Sequence, residues 1–278
     1  MDKKTTLSVI LITNNEANNI LDCLASVSFA DQIIVVDSGS TDKTVELARS
    51  VGAHVVQTSD WPGFGAQKNR ALDLATCDWV FSIDADERVT PELAEQLKAA
   101  IKLGVDADNQ VDFKNDSNIE NISNKNIKQH DAYEVPRLTQ FCGQWIRHCG
   151  WTPDHVLRLF KRGRARFSND LVHERLVQSQ GTCGKLTTPM LHFSYPTPAS
   201  YWRKLDQYSQ AWAKQRHSEG KKTSMLRAAM SGMVAFVRTY FLRLGFLDGA
   251  LGFAVCTMQA QSAFGKYFTL YCLNLKNK

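Results

Sequence analysis

Trp79-Val80-Phe81-Ser82-Ile83-Asp84-Ala85-Asp86-Glu87 is an apolar run that ends abruptly in acid. The segment WVFSI has the length and the aromatic and β-branched content of a buried strand. Two carboxylates in a loop at a strand end can hold a hard divalent cation, and a taste for oxygen ligands and phosphate points to Mg²⁺ or Mn²⁺. Such an ion would neutralise charge building on a diphosphate as it leaves. An Asp-x-Asp in isolation is equally a pair of solvated loop acids, so its surroundings decide between the two.

Upstream, apolar runs and helical spacings alternate. Leu7–Ile12 (LSVILI) reads as a buried strand followed by the polar loop Thr13-Asn14-Asn15-Glu16. Residues 18–28 place Ile20, Leu21, Leu24 and Val27 at helical spacing. Gln32–Val36 is a second strand, closed by Asp37-Ser38-Gly39-Ser40-Thr41-Asp42, where Thr41 or Asp42 can cap a helix starting near Lys43. His54–Gln57 is a third strand, Ala66–Ala75 a helix opened by Gln67, Lys68, Asn69 and Arg70, and Pro91 suits the first turn of a helix over 91–103. Strands and helices alternating at short intervals make a mostly parallel α/β sheet flanked by helices on both faces. Ligands bind such sheets at the carboxyl ends of the strands, where every one of these polar loops falls.

Residues 104–130 break the pattern. They are rich in Asn and Asp, with Phe113 their one aromatic, and read as a flexible surface insertion. Two N-glycosylation sequons there, at Asn115 and Asn121, are taken as accidental, because no secretory leader pattern accompanies them. Short strands resume at Ala132–Leu138, Val156–Phe160, Ala165–Phe167 and Met190–Phe193, and the chain reads as helical from Ser200. The expected division is a catalytic domain over 1–198 and a helical C-terminal region over 199–278.

The 278 residues carry a net charge of +5 that hides an asymmetry. From Pro196 onward there are 12 Lys and Arg against 3 Asp and Glu, which leaves 21 against 25 in residues 1–195. A mildly acidic body with a basic, apolar tail fits an anionic partner such as a membrane surface. The 7 cysteines show no Cys-x-x-Cys pair and read as reduced thiols of a cytoplasmic protein.

Taken together, LSVILITNNEANNI, VVDSGSTDKT, QKNRAL and FSIDADE resemble the family 2 glycosyltransferases of GT-A fold, densely over 7–103 and more loosely over 132–193. Within that family the chain is most similar to the lipopolysaccharide core β-1,4-glucosyltransferases, which add glucose to the inner-core heptose. The resemblance implies that Thr13, Asn14, Glu16 and Asp37 contact the nucleoside of a UDP-sugar. It puts Lys68 near the diphosphate, Asp84 at the ribose or metal, and Asp86 at the metal. Two positions depart from the family pattern. The usual Tyr of the first loop is Asn14, which removes an aromatic contact with the base, and the second Asp of the family's pair is Ser38.

An inverting transfer needs a carboxylate to take the acceptor's proton while its oxygen attacks the anomeric carbon. Asp170-Leu171-Val172-His173-Glu174 resembles the Val-His-Glu motif of the same glucosyltransferases, which makes Glu174 the expected base and Asp170 the second choice. His192, in LHFSY, is a third candidate metal ligand or a structural histidine, and His173 is equally open to a core role. Arg137, Arg147 and Arg158 suit acceptor phosphates or carboxylates, with surface arginines as the plainer reading.

The tail, residues 225–270, interleaves aromatics and basics: Phe236, Arg238, Tyr240, Phe241, Arg243 and Phe246. Its longest uncharged run, Gly249–Gly265, is too short and too polar for a membrane span. The expectation is a peripheral protein on the inner face of the cytoplasmic membrane, with helices in the interface, against the plainer reading that they pack on the catalytic domain.

Four rival classes are weaker. A haloacid-dehalogenase-type phosphatase also follows a strand with Asp-x-Asp, but here Glu87 and Arg88 come next and nucleotide-type loops precede it. A nicotinamide enzyme needs glycines that Thr13–Asn19 lacks. A catalytically inactive membrane-bound sugar-nucleotide-binding protein is at odds with intact Asp84, Asp86 and Glu174. The tail carries no known nucleic-acid module, so no nucleic-acid partner is expected. Among acceptors, polyprenyl phosphate or another membrane glycolipid is the alternative to the lipopolysaccharide core.

Overall fold

The computed structural model describes residues 5–106, 130–168 and 175–275. Most of the expected 104–130 insertion, together with Asp170, His173 and Glu174, lies outside the described residues. The chain divides into two compact units: Met1–Arg137 with Asp154–His192, and Leu138–Pro153 with Phe193–Lys278.

The first unit begins with β1 (Leu7–Thr13), α1 (Ile20–Ser26), β2 (Gln32–Asp37), α2 (Thr44–Ser50), β3 (His54–Gln57), α3 (Phe64–Asp73), β4 (Trp79–Ser82), β5 (Glu87–Arg88) and α4 (Pro91–Asp106). β1 is buried on both faces, which is why it reads as an unbroken apolar run rather than an alternation. Leu7, Val9 and Leu11 pack with Ile20, Leu24, Leu93 and Leu97 on one side of the sheet. Ile10 turns to the other side, with Ile34, Val36, Ala71 and Leu72. The N-cap position of α2 is Lys43, with no side-chain capping bond, rather than Thr41 or Asp42, although Asp42, one residue earlier, accepts from the Thr44 amide at 3.0 Å.

The rest of the sheet comes from β6 (Ala132–Phe141), β7 (Gln144–Ile146), β8 (Asp154–Lys161), β11 (Cys183–Lys185) and β12 (Met190–Tyr195), while β9 (Ala165–Phe167) and β10 (Leu176–Gln178) form a separate two-stranded antiparallel sheet. The strand order is β3-β2-β1-β4-β8-β6-β12-β5, with β7 and β11 also paired to β6. β3, β2, β1 and β4 run parallel, so their carboxyl ends share one edge. β8 pairs antiparallel to both β4 and β6.

The second unit holds α5 (Pro198–Ser218), α6 (Met225–Val237) and α7 (Gly249–Leu275). Between α6 and α7 lie a π-helical turn, Arg238–Leu242, and a 3₁₀ turn, Gly245–Asp248. Thr197 opens α5 with a capping box, its hydroxyl accepting from the Ser200 amide at 3.2 Å. Sequence patterning assigned 138–153 to the first domain. The structure groups that stretch with the helices, because Phe141, Ile146 and Cys149 pack with Tyr201, Val255, Cys256 and Met258. Gly252 has no room for a side chain: a Cβ there would clash with the Gly245 carbonyl. No single described helix is long and apolar enough to cross a membrane. Met225–Leu242 with Gly245–Leu275, bent by 73°, meets that test only as a pair, by length and composition.

Candidate functional site

The parallel strands deliver three polar loops to one edge, and hydrogen bonds lace two of them together. Asp37, fully buried at the end of β2, accepts from the Thr13 hydroxyl at 3.1 Å and from the amides of Gly39 and Ser40 at 3.1 and 2.9 Å. The Ser40 hydroxyl donates to the same carboxylate. Gly39 adopts φ +83°, a conformation that favours glycine and lets the loop fold back onto that carboxylate. Asn15 takes a left-handed backbone at φ 57°, which Asn tolerates better than most residues, and its side-chain oxygen accepts from the Thr41 amide at 2.9 Å. Asn14 donates to the Ser38 carbonyl at 2.8 Å, and the Glu16 carboxylate accepts from Asn19 at 2.8 Å. The four residues expected at the nucleoside therefore sit at the carboxyl ends of β1 and β2, Thr13 and Asp37 closing the strands and Asn14 and Glu16 following β1.

α3 ties this edge to the acidic loop. Gln67 donates to the Ser38 hydroxyl at 2.8 Å. Asn69 clamps Phe167 of β9 through both its amide groups, at 2.9 and 3.0 Å. Lys68 turns to Asp84 at 3.1 Å, with its ammonium 5.6 Å from the centre of the Phe167 ring.

Asp84 is held between two cations. Its second oxygen accepts from Arg158 at 2.7 Å. The same guanidinium nitrogen reaches Glu87 at 2.7 Å, and Glu87 also accepts from the Asp84 amide at 2.9 Å and faces Arg137 at 3.6 Å. Burial pushes the Asp84 carboxyl up, but the Arg158 and Lys68 charges outweigh it and hold the group well below the usual carboxylate range. For Glu87 the balance falls the other way. Burial raises it, Arg158 only partly offsets this, and the charge of Asp84 adds to the rise. Burial also works against the charge on Arg158, yet the two carboxylates more than compensate and keep it protonated. Its Nε finds no partner among the described residues.

Asp86 lies on the other side of the loop, 3.5 Å from the Nε2 of His192. Asp86 and His192 are thus neighbours, while both oxygens of Asp84 are taken by cations. Among the described residues no three His, Cys, Asp or Glu side chains form a metal-holding group. A pair of protein ligands still fits Mg²⁺ or Mn²⁺, because small hard cations bound beside phosphates take their remaining ligands from those phosphates and from water. Sequence reasoning missed two participants. Arg158 stood among candidate acceptor contacts and surface arginines, yet it is 6% exposed and anchors the acidic loop. Glu87 is fully buried beneath that loop. Arg147, of the same trio, is exposed.

A parallel β3-β2-β1-β4 edge with an acidic loop after its last strand, a mixed sheet beyond it and a helical C-terminal region is the GT-A architecture of nucleotide-diphospho-sugar transferases. Residues 8–161 match the family model described as glycosyl transferase family 2, and the chain belongs to that family. It is a glycosyltransferase. A protein of Rickettsia prowazekii, named as an uncharacterized glycosyltransferase, is 27% identical over 98% of this chain and 89% of its own length. The lipopolysaccharide core biosynthesis glycosyltransferase LpsC of Rhizobium meliloti is 29% identical over 95% of this chain and 91% of its own. Among solved structures, glucosyl-3-phosphoglycerate synthase from Mycobacterium tuberculosis, determined with Mn²⁺, UDP and glucosyl-3-phosphoglycerate, is 36% identical over 30% of this chain and 34% of its own, with a TM-score of 0.28.

Proposed function

We propose that this glycosyltransferase moves a sugar, glucose in our reading, from a UDP-sugar to the inner-core heptose of lipopolysaccharide, with inversion at the anomeric carbon. The observation that carries the reading is the Asp84–Asp86 loop, in which one carboxylate is fixed by Lys68 and Arg158 and the next sits beside His192. The whole-length similarity to LpsC, a protein named for lipopolysaccharide core biosynthesis, supports the acceptor class.

Asp86 and His192 would hold Mg²⁺ or Mn²⁺, which supplies positive charge against the departing diphosphate. Thr13, Asn14, Glu16 and Asp37, at the ends of β1 and β2, receive the nucleoside. Asp84 keeps the Lys68 ammonium pointed along the same edge, where it meets the diphosphate. Arg158 keeps Asp84 ionised, so Lys68 is positioned by a full charge rather than by a neutral acid. Glu174 takes the proton of the acceptor hydroxyl as that oxygen bonds to the anomeric carbon and the bond to UDP breaks, and Asp170 is the alternative base. The protein works at the cytoplasmic face of the membrane, held there by its basic, apolar C-terminal helices.

Substitution Glu174→Gln tests the base. It should leave UDP-sugar affinity near that of the wild type and lower transfer by roughly 10²–10⁴-fold. Near-normal transfer by this variant would put the base elsewhere, and a product of retained anomeric configuration would rule out inversion.

A further inference from the structure

The second unit contains a cavity of about 320 Å³ that the transfer chemistry does not use. Its wall includes Trp151, Tyr195, Tyr201, Arg238, Gln259 and Lys266. Three of these form an aromatic shelf. Trp151 stacks on Tyr201 with ring centres 6.3 Å apart and planes 23° apart, and Tyr195 lies 5.4 Å from Trp151 and 5.1 Å from Tyr201. Burial raises the Tyr201 hydroxyl, so it stays protonated as a hydrogen-bond donor at neutral pH. Gln259 is fixed by a 3.1 Å bond from its amide nitrogen to the Cys149 carbonyl.

Charge fixes the class of occupant. Arg238 and Lys266 make no ion pair among the described residues. Among the described residues no acid of this unit pairs with either cation. The acids of this unit are Asp206, Glu219 and Asp248. Asp206 accepts from Gln210 at 3.0 Å, Glu219 from Arg216 at 3.1 Å, and Asp248 is held by His148 at 2.8 Å. Two uncompensated cations beside a cavity call for an anion, and a guanidinium suits phosphate in particular. The shelf calls for something more than an anion. Aromatic faces stack on flat apolar surfaces while hydroxyl and amide groups at their edges take hydrogen bonds, which matches the two-sided character of a pyranose ring. The volume is at the low end of the roughly 300–1,000 Å³ spanned by small-molecule sites, enough for a monosaccharide unit.

We propose that this cavity is a binding site for a phosphate-bearing sugar, free or lipid-linked, with the ring against Trp151, Tyr195 and Tyr201 and the phosphate on Arg238 and Lys266. The site lies wholly within the second unit and does not depend on the reading of the donor loops.

Titration calorimetry on the full-length protein tests it with four probes: a hexose phosphate, the unphosphorylated hexose, inorganic phosphate and detergent-dispersed lipopolysaccharide. The hexose phosphate should bind at least about tenfold more tightly than either the hexose or phosphate. Each of Arg238→Gln and Lys266→Gln should weaken it by roughly tenfold, as loss of one charged hydrogen bond does. UDP titrated in parallel reports the donor site separately and should be unaffected by either variant. If lipopolysaccharide displaces the hexose phosphate, the natural ligand is lipid-linked; if the sugar phosphate binds and is not displaced, it is free. Equal binding of phosphate and hexose phosphate would reduce the site to an anion patch and overturn the proposal. So would unchanged affinity in both variants, or no binding of hexose phosphate up to millimolar concentration.

Discussion

Arg158 governs the electrostatics of the acidic loop. One guanidinium nitrogen serves both Asp84 and Glu87, and the pair behaves oppositely with pH. Asp84 is held low, so the stability it lends is present above its unfolded value of about 3.9 and lost as the pH falls below it. Glu87 is held high, so its contribution is complete below about 4.3 and is lost as the pH rises through its folded value. In Arg158→Met both carboxylates lose their nearest counter-charge, which leaves Asp84 with Lys68 at 3.1 Å and Glu87 with Arg137 at 3.6 Å. The variant should be less stable by about 3–5 kcal/mol at pH 7, because buried charge is left uncompensated. The deficit should shrink near pH 4, where the carboxyls can protonate. Urea unfolding at the two pH values measures this, and an equal deficit at both would show that Arg158 contributes packing rather than charge. Asp84 and Asp86 were legible in sequence because an apolar strand stops abruptly at them. Arg158 was not, because in Val156-Leu157-Arg158-Leu159-Phe160 a lone cation looks like the solvent-facing member of an alternation. Its inward orientation depends on acids 71 and 74 residues away.

The long elements were legible for the same reason that they are stable. β1, β2 and β4 are apolar enough to be buried on both faces, and α3 and α4 run long enough to show a period. β5, β7, β10 and β11 have two or three residues each, too few for any period, and exist because neighbouring strands supply their hydrogen bonds. The α6–α7 region reads in sequence as either interface or core, and in the structure it has both buried and exposed apolar residues. Val255, Cys256 and Met258 are buried, whereas Leu226 is 72% exposed, Leu242 75% and Phe241 54%. Exposed apolar residues next in sequence to Arg227, Arg238 and Arg243 suit an anionic lipid surface. Because α7 also fills the core of its unit, deleting the tail would unfold what it is meant to test. The paired substitution Leu226→Glu with Leu242→Glu is the better probe. It should lower flotation with anionic vesicles by about tenfold or more, since two apolar contacts are replaced by like charge. Unchanged flotation would remove the membrane from the account.

At the scale of the whole molecule, the charge asymmetry coincides with the division into two units. The unit that holds the loops after β1, β2 and β4 is acidic where it gathers Asp84, Asp86 and Glu87, and the helical unit carries the basic excess. The order of loops along one sheet edge was readable from the sequence, since parallel strands put them there by necessity. The grouping of 138–153 with the helices was not, because it rests on contacts with residues about a hundred positions later. The proposed function requires the Asp84–Asp86 loop to work on a UDP-sugar with the help of a divalent cation. UDP release from a panel of UDP-sugars, with lipopolysaccharide extract as acceptor, with and without Mn²⁺ or Mg²⁺, in wild type and Asp86→Ala, measures this directly. The account predicts metal-dependent release from one sugar, UDP-glucose, and loss of roughly 10²-fold or more in the variant, the scale of removing one stabiliser of developing charge. Release that is indifferent to the metal and to Asp86 would contradict it.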